Sequence, residues 1–287
     1  MAKRIFLFLS TNLAVVFTIS LILSVLGIRP GGGIVPLAIF CFIWGMGGAF
    51  ISLAISRWMA KTTMGVQLVD GNTGNADADW LYRTVERLAR QANLPMPEVG
   101  IYDSPEVNAF ATGPSKNRSL VAVSTGIMRT MRRNELEAVL GHEISHIANG
   151  DMVTMTLLQG VMNAFVMFVA RIVASIAAGQ SKSERGSDAI YFFVRLVVEI
   201  ILGIAGSLVT AWFSRYREFR ADAGAAALTG SENMVAALRR LAEGPQGVDP
   251  RAPALASFKI SGGRGGMLEL FSTHPPLEAR IEALRRR

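Results

Sequence analysis

Long uncharged apolar runs alternate along this chain with shorter segments that carry apolar residues on one helical face only. Residues 5–28 and 34–55 hold no charged side chain over 24 and 22 positions. At 1.5 Å per residue each can cross the ~30 Å hydrocarbon core of a bilayer, so the two predict a transmembrane hairpin within residues 1–58. Two further apolar runs, 152–178 and 189–213, flank the polar turn 179–188 and predict a second helical hairpin over 152–213. Arg171, Arg195 and Glu199 interrupt it, and charge inside a span is costly unless paired. A turn near residue 184 brings the three level, with Arg195 and Glu199 four apart on one helix face, so they can neutralise one another. This hairpin is expected to span the membrane; the alternative is a helical pair lying on its surface.

Between and after the hairpins the pattern becomes that of a soluble domain in two parts, 59–151 and 214–287. Leu81, Val85, Leu88 and Ala92 recur at helical spacing among Arg83, Glu86, Arg87 and Arg90, which predicts an amphipathic helix over 78–92, ended by Pro95 and Pro97. Short β-rich runs at 98–102, 107–112 and 120–124 predict a small sheet. The next helix is expected to start at Asn134 as N-cap with Glu137 three residues on, and to stop at Asn149-Gly150. Helices are also expected at 232–243 and from about Pro276, separated by the Gly/Pro-rich loop 244–266, either a flap over the site or a surface loop. The fold class expected is α+β, mainly α with a small β-sheet, on two membrane hairpins.

Composition agrees with the pattern. An apolar content of 51% and a mean hydropathy of +0.35 are too high for an ordinary soluble protein of 287 residues. The net charge of +7 does not indicate nucleic acid, because the basic residues flank apolar spans. Lys3 and Arg4 precede the first span and Arg57 and Lys61 follow the second, with only Arg29 between, which places both ends in the cytoplasm. Met1-Ala2-Lys3-Arg4 opens like a signal peptide, but the apolar run exceeds a typical signal core and a second span follows, so an uncleaved anchor is expected. Cys41 is the sole cysteine and excludes an intrachain disulfide framework.

The chemistry is carried by two of only three histidines, in Gly141-His142-Glu143-Ile144-Ser145-His146. Helical positions four apart differ by about 40° in azimuth, so both imidazoles project from one face and can hold one ion. Glu143 stands beside that face, where it can take a proton from an activated water. A catalytic zinc usually has three protein ligands and one open position. No histidine follows at the spacing of the longer three-histidine signature, so the third ligand must come from elsewhere. Glu218-Phe219-Arg220-Ala221-Asp222 offers two carboxylates on one helical face, one as ligand and the other as acceptor from a ligand imidazole.

With these residues the chain resembles the HtpX family of membrane-bound zinc metalloproteases, relatives of the CAAX prenyl proteases. The resemblance rests on the apolar N-terminal pair, Gly-His-Glu-Ile-Ser-His at 141–146, Glu-Phe-Arg-Ala-Asp at 218–222 and Ser-Thr-His-Pro-Pro-Leu-Glu-Ala-Arg-Ile at 272–281. It implies a zincin-like protease with one zinc ion on His142, His146 and Glu218, and with Asp222 in support. Asn108 and Ala109, in Asn-Ala-Phe-Ala-Thr-Gly, are similar to the family's edge strand, on which an extended substrate peptide pairs. The family resemblance further implies a bacterial cytoplasmic membrane, an active site on the cytoplasmic side, and quality control of membrane proteins under stress.

In the expected mechanism Glu143 takes a proton from water activated at the metal and returns it to the leaving amine. His274 is a candidate donor to the oxyanion, or else braces the turn before Pro275-Pro276. The partners expected are polypeptides, membrane proteins among them, and the lipid bilayer. Two rivals stay open: a prenyl-protein protease, and a silent scaffold that keeps zinc for structure. An intact Glu143 speaks against the scaffold. His146 lies six residues before one apolar run and Glu218 five after its partner, which puts the metal within roughly 10 Å of the helix ends.

Overall fold

A computed structural model describes residues 33–180, 183–243 and 272–286 of the chain; the expected span at 5–28 and the loop 244–266 lie outside the described residues. In chain order the elements are α1 (Ile34–Met64), β1 (Gln67–Val69), α2 (Ala76–Gln91), β2 (Glu98–Tyr102), β3 (Ala109–Ser115), β4 (Arg118–Ser124), α3 (Thr125–Thr130), α4 (Arg133–Asn149), α5 (Asp151–Ala178), α6 (Glu184–Thr229), α7 (Ser231–Glu243) and α8 (Leu277–Arg285). The described residues form two compact units, one within Met1–Ile51 and Thr156–Thr210 and the other within Ser52–Met155 and Ala211–Arg287.

The first unit draws on α1, α5 and α6, each long and apolar enough to cross a membrane. Its helices meet through small residues. A Cβ on Gly45 would fall 2.5 Å from the Ala164 backbone nitrogen, and one on Gly160 would fall 2.6 Å from Met46 Sδ. Such close approach is how helices associate where no hydrophobic driving force separates them from lipid. The three interrupting charges come together: Arg171 Nη1 and Arg195 Nε stand 4.0 and 3.7 Å from Glu199 Oε1. The Arg171 and Arg195 guanidinium groups also cover the rings of Phe40 and Phe192.

The second unit is built on a mixed sheet in the order β1-β2-β4-β3. β2 runs parallel to β4, and β1 and β3 are the antiparallel edges. β4 reads as a continuous apolar run because both of its faces are covered. Val121 and Val123 face α2 and α4 through Leu81, Val85, Leu140 and Ile144. Leu120 and Ala122 face Tyr102, Phe110, Ala60 and Met64. Burying each of these larger side chains contributes about 1.5–3 kcal/mol. The β3–β4 hairpin needs Gly113: its φ is 143°, and a Cβ there would strike the Arg118 carbonyl oxygen at 2.2 Å.

The sequence expectations meet this fold with some corrections. Helix α2 buries the expected Leu81, Val85 and Leu88 and begins at Asn75, whose side chain accepts from the Asp77 and Ala78 N–H groups. Helix α4 does not start at Asn134 with Glu137. It starts two residues earlier, where the Glu135 carboxylate accepts from the Arg132 N–H. Asn134 instead bonds Asn233, and Glu137 pairs with Arg87. The stop is as expected, with Gly150 left-handed at φ 70°. Strand β3 begins at Ala109, so Asn108 precedes it. The apolar run at 189–213 and the charged segment after it are one helix of 46 residues.

Candidate metal centre

Helix α4 carries Leu140, Ile144 and Ile147 into the core, which turns His142 and His146 onto a different face. Helix α6 approaches α4 closely there. A Cβ on Gly224 would lie 2.4 Å from Ser145 Oγ, and one on Gly141 3.1 Å from Thr229 Cγ2. This approach delivers Glu218, fully buried, to the two imidazoles.

The donors converge. His142 Nε2 and His146 Nε2 are 3.0 Å apart; Glu218 Oε2 is 3.4 Å from the first and Glu218 Oε1 3.3 Å from the second. Tetrahedral N and O donors on a zinc at ~2.0–2.1 Å stand about 3.3 Å from one another, which matches this spacing. Neither Glu218 oxygen makes a hydrogen bond among the described residues, although both are buried. Two imidazoles and a carboxylate left so in a buried pocket suit a divalent cation of the zinc type.

The other ring nitrogens are held by carboxylates. His142 Nδ1 is 2.9 Å from Asp222 Oδ1 and His146 Nδ1 is 2.6 Å from Asp151 Oδ2. With Nδ1–H donating, each Nε2 lone pair points to the metal position. Asp151 was not anticipated; its signal is an acidic residue directly after the Gly150 helix stop, five positions beyond His146. Replacing Asp151 by alanine is expected to weaken metal binding by about 10- to 100-fold, read by competition with a chromophoric chelator; unchanged affinity would deny it that role.

Arg280 was not anticipated either. It occupies the buried face of α8 with Leu277 and Leu284, and an arginine on an apolar stripe is the signal for a paired, buried charge. Its Nε and Nη2 donate to Asp222 Oδ2 and Oδ1 at 2.7 and 2.5 Å.

The charges set the protonation states. Burial disfavours the charged form of His142, but Asp222 and Glu218 outweigh it and raise its pKa to about 9. Metal uptake near neutral pH therefore displaces a proton. Burial also opposes ionisation of Asp222, yet Arg280 and His142 bring its pKa down to about 2. Glu218 is held well below the carboxylate range against its burial, chiefly by His274 and His146. Glu143 is the opposite case. Burial pushes its carboxyl up, only partly offset by the two histidines and the Ala111 N–H.

That N–H locates the sheet edge. The Ser124 N–H donates to the Asn108 carbonyl, so by antiparallel alternation Phe110 and Thr112 bond β4, while Ala109 and Ala111 turn their backbone groups outward. Asn108 N–H donates to Ser124 Oγ and its Nδ2 to the Tyr102 hydroxyl, and among the described residues Oδ1 has no hydrogen bond. His274 is buried with Nδ1 2.9 Å from Glu218 Oε2, and neither ring nitrogen makes a hydrogen bond among the described residues.

Comparison with known proteins agrees with this centre. Residues 75–287 match the model of peptidase family M48. Protease HtpX of Idiomarina loihiensis is 50% identical over 99% of both chains. The Protease HtpX homologs of Thiobacillus denitrificans and Methylacidiphilum infernorum are 51% and 49% identical, over at least 99% of each chain. In fold, the crystal structure of S. mikatae Ste24p superposes with a TM-score of 0.64 at 17% identity, over 99% of this chain and 67% of that one. Read with the metal-binding geometry, these matches make the chain a membrane metalloprotease belonging to peptidase family M48.

Proposed function

We propose that the chain is a zinc-dependent endopeptidase of the bacterial cytoplasmic membrane, working on the cytoplasmic side, that cleaves misfolded or damaged membrane proteins. The observation that carries the reading is the convergence of His142 Nε2, His146 Nε2 and Glu218 on one point, with Glu143 buried beside them. When bound there, zinc supplies the Lewis acidity that activates water and polarises the scissile carbonyl. Glu143 holds the proton taken from that water and passes it to the leaving amine. Its raised pKa suits a group that must both accept and release a proton. The outward N–H and C=O of Ala109 and the C=O of Ala111 orient an extended substrate as an added strand, the Ala111 N–H being given to Glu143, and Asn108 Oδ1 is available as a further acceptor. His274 has unspent ring nitrogens and donates to the oxygen on which charge develops.

The topology draws on different residues. Arg57 and Lys61 in the last turns of α1, against Arg29 alone between the two apolar runs of the sequence, follow the positive-inside bias. Trp58, Trp212 and Tyr216 are exposed, Trp212 stacks on Tyr216, and such aromatics favour the headgroup level. Chelation of the detergent-solubilised chain is expected to abolish cleavage of an unfolded protein, and zinc to restore it. Cleavage that persists in a sample shown to be metal-free would sink the zinc assignment. Proteoliposomes holding a destabilised membrane protein test the substrate class, with its folded parent as the resistant control.

A further inference from the structure

Arg280 is among the largest fully buried side chains, and the catalytic steps above do not use it. We propose that Arg280 is a positioning residue which, by clamping Asp222, fixes the orientation and tautomer of His142 so that Nε2 is presented to the metal. The inference rests on the zinc-peptidase reading of the same site.

The contacts form a relay. Arg280 grips Asp222 with two hydrogen bonds, and Asp222 Oδ1 faces His142 Nδ1 at 2.9 Å. Arg280 Nη2 stands only 3.5 Å from that same ring nitrogen. A guanidinium cannot accept a hydrogen bond, so its presence there leaves the Nδ1 proton to Asp222 alone. A free carboxylate could rotate about its last torsion; one held at both oxygens by a planar fork cannot.

The comparison of the two histidines explains why one carboxylate needs a clamp. Asp151 is the first residue of α5, where the unsatisfied N–H groups and the helix dipole stabilise an anion. Asp222 lies inside α6, one turn from Glu218, and both are buried anions on one face. They repel each other, and Asp222 has no helix end to steady it. Arg280 sits between them, with Nη1 3.7 Å from Glu218 Oε2. The position at His142 therefore depends on a residue of α8.

The test uses the full chain in detergent micelles, with zinc affinity measured by chelator competition and the visible spectrum of the cobalt-loaded chain as a second readout. Arg280→Met is expected to weaken zinc binding about 10- to 100-fold, the range for loss of an outer partner of a ligand, and to alter the cobalt band. Arg280→Lys should stay weakened, because a point charge cannot hold both Asp222 oxygens. Since Arg280 acts through Asp222, Asp222→Asn combined with Arg280→Met should bind zinc no more weakly than Asp222→Asn alone. Arg280→Met with parental affinity and spectrum, even if less thermally stable, overturns the proposal, as do independent, multiplying losses in the double variant. If Arg280→Met does not fold, parental zinc affinity in Arg280→Lys overturns it and a weakened affinity sustains it. A parent chain that binds zinc with these affinity differences among its variants, yet cleaves no unfolded protein, would instead count against the peptidase reading while sustaining the clamp.

Discussion

Exchange of Glu143 for glutamine is expected to slow hydrolysis of an unfolded protein by about 10²- to 10⁴-fold, the usual worth of a positioned proton acceptor, with zinc affinity unchanged. The side chain is 5% exposed and stands one position from His142 without being a metal-donor candidate itself. Glutamine keeps the shape and can still accept from the Ala111 N–H, but it cannot take a proton at neutral pH. The ligand triplet and its carboxylate partners are untouched, so the loss falls on the chemical step. Turnover and zinc content measured on one preparation decide the matter: parental turnover in a zinc-loaded variant would remove Glu143 from the mechanism.

Glu218→Gln is expected to act at the earlier stage of metal binding. Zinc affinity should fall by more than the roughly 10- to 100-fold that an outer partner contributes, and cleavage with it. Among the described residues Glu218 is the one carboxylate paired with both Nε2 atoms, at 3.3 and 3.4 Å, and it also stands 3.8 Å from Arg217, 3.7 Å from Arg280 and 2.9 Å from His274. An amide removes the negative charge that offsets this ring of donors, and offers the metal a neutral, weak ligand. Metal analysis after gel filtration checks the prediction. A variant that retains one zinc per chain would show that the carboxylate is dispensable.

Much of this was legible because local rules and the final fold agree. The 3.6-residue period of Leu81, Val85 and Leu88 marks α2, and the period of four puts His142 and His146 on the candidate metal-binding face of α4. Glu218 and Asp222, singled out as a carboxylate pair, are the ones the fold brings to the imidazoles. What escaped depends on partners distant in sequence. β1 is three residues, Gln67–Val69, without a buried alternation, and only its pairing with β2 makes it a strand. The start of α4 moved because Glu135 serves both the Arg132 N–H and Arg240 across the packing with α7. Arg280 shares the apolar stripe of Leu277 and Leu284, but its partner Asp222 lies 58 positions earlier and only the fold brings the two together.

That separation has a consequence for biosynthesis. His142 and Arg280 are 138 positions apart, and the ligand-bearing stretches of α4 and α6 enclose about 70 residues of mostly apolar chain whose closure carries an entropic cost. During vectorial synthesis the histidine helix emerges long before its carboxylate partner, and the clamp of that partner later still. A nascent chain that has made only α4 holds two imidazoles and a base, but no completed metal cage. Translation order thus delays the gathering of His142, His146 and Glu218 until the apolar segments between α4 and the end of α6 have been made.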